Sequence, residues 1–399
     1  KYLLRNGDLV FARTGATVGK SFLIKGEIPE SVFASYLIRI ILSENVSEEY
    51  VYYFFQSPAY WSQVYEGRIG IGQPNVNASK LSKLSLSLAP LNEQRRIVTR
   101  IEELFTRVDA GAVSLRKVKA QLQRYRQAVL KYAFEGKLTK KWRKTHKHEV
   151  ESVSVLLERI KEERKEIGKY KELPPIDTSD LPELPESWIW TRLGDIAEKI
   201  VDGSHNPPPR QKSGIPMLSA RNILNGKIVF SKYRDISIED FEKEIRRTPI
   251  EVGDVLLTIV GTIGRSAVVE TSTPKFALQR SVALIKMKID PKYLSLLFQS
   301  PIISSYLSEK ARGTAQKGIY LNQLRELPII ICPFLEQYRI VAEIERRFSI
   351  LEEIERITKQ SLKKGDRLRQ SILKEAFDGR LVPQDPTDEP AENLLERIR

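Results

Sequence analysis

The chain has 399 residues, 41% hydrophobic and 29% charged, the balance of an ordinary globular protein with two or three domains. Its 65 Lys and Arg outnumber 51 Asp and Glu, and the net charge of +14 suits a polyanionic partner, nucleic acid before membrane. No stretch approaches the ~18 apolar residues of a membrane span and the opening Lys-Tyr-Leu-Leu carries no signal-peptide pattern, so no membrane partner is expected.

In chain order, the first segment reads as short strands with a helix over Glu48–Gln56. Gly15-Ala-Thr-Val-Gly19-Lys20-Ser21 resembles a phosphate loop, but three residues separate its glycines where a nucleotide cradle needs four. Two readings stay open: a glycine turn that lets Lys20 approach a DNA phosphate, and a plain tight turn between strands. From Asn92, apolar or small residues fall at 97, 101, 104, 108, 111, 115, 118, 122, 125, 129 and 132, steps of 4 and 3 that predict a coiled-coil seam. Gly111 is its soft spot, and Gly136 stops the helix. Residues 95–147 hold 16 Lys and Arg against four acids, a surplus of 12. Such a face can contact phosphates, can simply be solvated, or can dock on an acidic protein surface.

After the Pro-rich stretch 173–187, a second strand-rich segment opens at Trp188, with runs at Gly253–Val260, Ser266–Val269 and Ser281–Lys286 and a helix over Pro291–Gln299. Its Asn206-Pro-Pro-Pro209 resembles the Asn-Pro-Pro-aromatic motif of adenine methyltransferases, but Pro209 stands where an aromatic would stack on a flipped base. No glycine-rich cofactor loop follows a strand, and no nucleophile–base pair or paired carboxylates stand out, so no catalytic residue is expected. Cys332, the one cysteine, sits in the apolar run 327–333 and reads as a buried strand residue. It excludes a disulfide framework and fits a reducing cytoplasm; with His146, His148 and His205 it is too isolated for zinc, so no metal is expected. A second long helix keeps Ile340, Ile344, Leu351, Ile354, Leu368 and Ile372 on its seam, with Gly365 among them, and ends at Gly379.

Self-similarity organises all of this. Pro90–Leu138 aligns without a gap on Pro333–Leu381, an offset of 243, with 18 identities in 49 positions. They include Glu93-Gln94 with Glu336-Gln337, Arg96-Ile97 with Arg339-Ile340, and Ile101 with Ile344. Upstream, Phe55-Gln-Ser-Pro58 repeats as Phe298-Gln-Ser-Pro301, and the first glycine turn repeats loosely as Gly261…Gly264-Arg265-Ser266. The chain thus carries one unit twice. The expected fold is α+β: two globular strand-rich modules separated by two long antiparallel helices forming a coiled coil, a tandem repeat with pseudo-two-fold symmetry. Helices packed each on its own module are the alternative. The first copy lacks about 55 residues that the repeat demands, and the repeat also breaks off at the far end, so both ends are read as cut short.

Side chains able to read base edges cluster in the loops. In copy one they are Arg13, Thr14, Lys20, Arg68, Gln73 and Asn75. In copy two they are His205, Arg210, Arg221, Asn222, Thr262, Arg265, Gln279, Arg280, Arg312, Gln316 and Lys317. Residues for the spacer and for subunit docking are Glu93, Gln94, Arg96, Ile97, Ile101, Leu104, Val108, Leu115 and Leu122, then Glu336, Gln337, Arg339, Ile340, Ile344, Leu351, Ile354, Leu368 and Ile372.

Trp188…Leu193-Gly194-Asp195, Asp202-Gly-Ser-His205, Gly214-Ile-Pro216, Gly253-Asp254 and the duplicated Pro-x2-Glu-Gln-x-Arg-Ile-Val at 90–98 and 333–341 follow in order. Together they resemble the HsdS specificity subunits of Type I restriction–modification systems over essentially the whole chain. The resemblance implies a first target recognition domain at 1–90, a long helix at 91–138, a basic tail and linker at 139–187, a second target recognition domain at 188–333, a long helix at 334–381 and a tail at 382–399. It also implies double-stranded DNA as ligand, two HsdM methyltransferase subunits and HsdR restriction subunits as partners, and a bacterial or archaeal cytoplasm. No cofactor is implied in this chain, since S-adenosylmethionine would belong to HsdM. A methyltransferase-fused enzyme and a coiled-coil scaffold without DNA binding are the rival functions. If some 40 helical residues at ~1.5 Å each act as a ~60 Å spacer, four residues inserted in 92–134 are expected to lengthen the gap of a split DNA target and leave its half-sites alone. Mapping of methylated adenines reads this directly, and altered half-sites with an unchanged gap would count against it.

Overall fold

The computed structural model describes residues 2–66, 76–149, 151–166, 176–312 and 317–398. They form two compact units, one from Lys1–Ala120 with Glu355–Arg399, the other from Gln121–Ile354. Two 44-residue helices, Leu91–Phe134 and Phe334–Phe377, each contribute one part to each unit.

In the first unit, β1 (Leu9–Ala12) lies between β2 (Ser21–Leu23) and β3 (Leu37–Ile40) in an antiparallel sheet. All four β1 residues are buried, because this central strand is covered on both faces and loses the usual in–out alternation. Beside it the helix Glu48–Phe54 starts on Ser47, whose hydroxyl accepts from Tyr50 N–H at 3.2 Å. The core joins Tyr50, Phe54, Phe55 and Tyr60 to Ile97, Ile101 and Phe105 of the first long helix. It is closed by Ile372, Leu373, Ala376 and Phe377 of the second, with Phe377 5.0 Å from the Tyr50 ring. Within this unit the two helix segments run antiparallel: Arg369 stacks 4.4 Å over Phe105 and pairs with Asp109, while Val108 faces Gly365.

The second unit is richer in strands. These are β4 (Ile189–Arg192), β5 (Ala197–Asp202), β6 (Ile215–Leu218), β7 (Ile223–Leu224), β8 (Lys227–Ile228), β9 (Arg234–Ile236), β10 (Val255–Thr258), β11 (Ser266–Val268), β12 (Ala277–Leu278), β13 (Val282–Met287) and β14 (Pro328–Ile331). An antiparallel sheet of order β11-β10-β13-β5 backs a three-stranded sheet of order β12-β6-β9, in which only β12 and β6 run parallel. β14 pairs with β4, and Cys332, fully buried, follows one residue past the strand predicted to hold it. Tyr293, on a helix capped by Asp290, packs 5.3 Å from Phe134 of the first long helix.

The duplication is visible contact by contact. Arg126 stacks 4.1 Å over Phe348 in this unit as Arg369 does over Phe105 in the other, and Phe134–Tyr293 matches Phe377–Tyr50. Every residue is offset by 243 from its counterpart. Gln94 accepts from Ser47 N–H at 2.9 Å and donates to the Ala89 carbonyl at 2.7 Å. Gln337 repeats this with Asp290 and Cys332 at 3.1 and 2.8 Å. A glutamine with one acceptor and one donor used this way staples the first turn of each long helix to the preceding module.

The structure corrects the expected seam at five positions. Ile354 (37% exposed) and Leu368 (51%) face outward, while Thr358 (4%) and Leu362 turn inward. On the first helix, burial likewise passes from the expected Gly111, Tyr125 and Tyr132 to Ala112, Arg126 and Ala133. An α-helix drifts ~20° per heptad from a strict 3.5-residue repeat, so positions at the edge of an extrapolated a/d stripe rotate out of the contact and their neighbours rotate in.

Candidate nucleic-acid interface

Four chain segments leaving strands of the second unit meet around a cavity of about 720 Å³. Ser204 and His205 follow β5, Ser219–Arg221 follow β6, Val260–Thr262 and Arg265 join β10 to β11, and Gln279–Ser281 follow β12. Main-chain hydrogen bonds fix them to one another: Ser204 donates to Leu278 O at 2.7 Å, Gln279 to Leu218 O at 2.8 Å and Arg280 to Ser204 O at 2.9 Å. Gly203 is required here, since a Cβ would lie 2.2 Å from the Leu278 carbonyl. Arg265 is held at both ends of its backbone, N–H to Thr258 Oγ1 at 2.9 Å and carbonyl to Thr258 N–H at 2.8 Å.

The lining carries cations and no carboxylate. Among the described residues, Arg221, Arg265 and Arg280 take part in no ion pair and no side-chain hydrogen bond; Arg221 and Arg280 are exposed and Arg265 half-buried, which leaves their charge open to a polyanion. His205 Nε2 lies 2.7 Å from Asp202 Oδ2. An adjoining cavity of about 290 Å³ shares His205, Val260 and Arg280 and adds Asp202, Arg312, Ile319 and Tyr320, the last 67% exposed. Lys317 anchors the turn between β10 and β11 through its carbonyl, which accepts from Gly261 N–H at 3.1 Å.

The fold therefore gathers His205, Arg221, Thr262, Arg265, Gln279 and Arg280 at one cavity, with Arg312 lining the next. Asn222 is a correction. Its side chain is fully buried, accepting from Ser219 N–H at 3.0 Å and donating to the Val229 and Ser231 carbonyls, so it shapes the wall and is out of reach of a base. Arg210 spends a donor on the Tyr233 carbonyl at 3.0 Å, away from this lining. In the first unit, Arg13, Thr14 and Lys20 belong to the β1–β2 hairpin, where Gly19 (φ +88°) leaves no room for a Cβ beside Trp61. Arg13 Nε is buried without a hydrogen-bond partner. Arg68, Gln73, Asn75 and Gln316 lie outside the described residues.

On the long helices, Ile97, Ile101, Ile340, Ile344, Leu351 and Ile372 are buried, Leu104, Val108, Leu115 and Leu122 half-buried, and Arg339 exposed. Arg96 pairs with Asp388 at 2.6 Å. Glu336 proves to be a hub that pattern reading missed: fully buried, it accepts from Thr139 Oγ1 at 2.6 Å, Arg143 Nε at 2.9 Å and Trp188 Nε1 at 2.9 Å. Glu93, its repeat counterpart, is also buried but has no such set of donors among the described residues. No signal for this hub exists in the repeat, because Thr139 and Arg143 have Val382 and Pro386 as counterparts.

Residues 1–117 and 185–364 both match the family described as the Type I restriction modification DNA specificity domain. The chain belongs to that family. Two matched blocks in one specificity chain agree with the duplication seen in the contacts. Similar relatives include the Type I restriction enzyme EcoBI specificity subunit of Escherichia coli, 27% identical over 362 residues, 87% of this chain and 71% of that one. The EcoKI specificity subunit of Escherichia coli strain K12 is 24% identical over 368 residues, 88% of this chain and 71% of that one. In fold, the chain is similar to a component of a type I R-M system studied for complex assembly and conformational transition (TM-score 0.63, 19% identity, 95% of this chain and 83% of that one). It is also similar to the HsdS subunit from Thermoanaerobacter tengcongensis (TM-score 0.50, 19% identity, 95% and 82%). Among the described residues no helix is long and apolar enough to cross a membrane, and no group of His, Cys, Asp or Glu could hold a metal ion.

Proposed function

We propose that this chain is the DNA-reading component of a Type I restriction–modification complex and contributes no catalytic group. Each copy of the repeat serves one half of a split double-stranded target, and the long helices present docking surface to two HsdM methyltransferase subunits, with HsdR restriction subunits joining the assembly. Methyl transfer, with S-adenosylmethionine, belongs to the methyltransferase, and the complex works in a bacterial or archaeal cytoplasm. The observation that carries this reading is the carboxylate-free cavity of the second unit, where three unpaired arginines face outward from a rigid frame in a member of the specificity family. Arginines of this kind, with the net charge of +14, suit a ligand bearing closely spaced phosphates.

Binding of a duplex is then expected to be strongly salt-dependent. Raising salt from ~50 to ~200 mM should weaken it roughly tenfold or more, because bound counterions are released with every phosphate contacted. Fluorescence anisotropy with a labelled duplex measures this. A flat salt response, or methyl transfer by the purified chain on its own, would overturn the assignment.

A further inference from the structure

We propose that the half-site served by the second copy contains guanine, held at its major-groove edge by Arg265 and Arg280. This rests on the DNA-reading function above and gives that surface a base preference. Three arginines meet at the cavity, each on backbone tied into neighbouring chain. Arg221, exposed on the three-residue helix Ala220–Asn222 that is braced by Ala220 N–H on Ser281 Oγ at 3.0 Å and by buried Asn222, is assigned to a phosphate. Arg265 and Arg280 leave backbone that is tied into neighbouring chain: Arg265 by two bonds to Thr258, Arg280 by its bond to Ser204 O and by the anchored Gln279 before it. Gln279 donates to Leu218 O at 2.8 Å, and its own carbonyl accepts from Val282 N–H at 3.0 Å. A fixed backbone origin is what bidentate readout demands, since the two N–H vectors of the fork must meet O6 and N7 of one base together.

The chemistry of the two arginines selects the base. Arginine presents donors only, and guanine is the base whose major-groove edge offers two acceptors, O6 and N7. Cytosine offers an N4 amino donor and would call for a carboxylate; this lining has none, and Asp202 of the adjoining cavity is engaged by His205 Nε2 at 2.7 Å. The corresponding turn of the first copy carries Lys20 in place of Arg265, a point charge without the planar fork. The two half-sites are therefore expected to differ, with the guanine requirement tied to the second.

The test uses the complex purified from its own host through a tag on this chain, challenged with a pool of random duplexes that is selected and sequenced. One half-site should be enriched in guanine at a fixed position. Arg265→Ala or Arg280→Ala should lower affinity for the selected duplex by roughly ten- to a hundredfold and erase that enrichment. Arg221→Ala should weaken all sequences alike and flatten the salt slope. Selected duplexes without guanine in either half-site would overturn the inference while leaving DNA reading intact. So would Arg265→Ala and Arg280→Ala variants that lose affinity uniformly and keep the same preferences. A complex that enriches no duplex at all would remove the DNA-reading function itself.

Discussion

Replacing Glu336 by Ala is expected to destabilise the second unit by about 3–5 kcal/mol, the usual cost of removing one partner from a buried charged pair. The carboxylate is fully buried and takes three hydrogen bonds, from the exit of the first long helix at Thr139 and Arg143 and from the module's opening residue Trp188. Without it, the Arg143 guanidinium, only 18% exposed and stacked 5.0 Å over Trp188, keeps the Gly136 carbonyl but loses its counter-charge. Glu336→Gln keeps the shape and an acceptor oxygen while losing the charge, so it should fall between the two. Urea unfolding followed by tryptophan fluorescence reports on this site through Trp188 itself. A midpoint for Glu336→Ala equal to that of the unaltered chain would mean the three contacts contribute nothing net.

The second large effect is expected in the first unit, where Arg39 Nε lies 2.7 Å from Asp8 Oδ2 with both side chains mostly buried. The N–H is not directed at the oxygen, so the contact acts as an ion pair more than as a hydrogen bond. Asp8 also caps the turn ahead of β1, accepting from Arg5 N–H at 2.6 Å. The repeat supplies the control. Asp254 caps the matching turn through Glu251 N–H at 2.7 Å, but β13 offers Leu284 where β3 has Arg39, and burial pushes the Asp254 carboxyl above its ordinary range. Arg39→Leu is therefore expected to cost about 3 kcal/mol, the low end for a broken buried pair, because the capping bond remains. Combining it with Asp8→Asn should recover part of that loss in the same denaturation experiment. A double variant no more stable than Arg39→Leu alone would show that packing, and not the stranded charge, sets the cost.

Much of the architecture was legible because the chain says it twice. Arg126 and Arg369, Phe105 and Phe348, and Phe134 and Phe377 are identities of the repeat, and each becomes the same contact in the two units. Helix register was legible only in part: the heptad count puts Ile97, Ile101, Leu115, Leu122 and Val129 on the covered side but misses by one residue at Gly111, Tyr125 and Tyr132, and on the second helix at Ile354, since an α-helix drifts from a strict heptad. The site divided in the same way. Arg221, Arg265, Gln279 and Arg280 could be named from loop composition, but nothing local announced that four separate strand ends would bring them to one cavity. Asn222 misled because a loop asparagine that reads a base and one that braces a wall look alike until burial is known. Glu336 was recognised as half of a repeated dipeptide, yet its three donors sit up to 197 residues away and carry no periodic signal.

The packing of Phe377 on Tyr50 also sets an order of events at the ribosome. The first unit needs residues from both ends of the chain, whereas the second is built from one continuous stretch, Gln121–Ile354. At ordinary rates of synthesis, the emerging Tyr50 and Phe54 rings wait roughly 16 to 65 seconds for the segment of the second long helix that closes over them. The core of the first unit is thus closed only after the whole stretch of the second unit has been made, with Ile97, Ile101 and Phe105 covering its aromatic rings in the meantime.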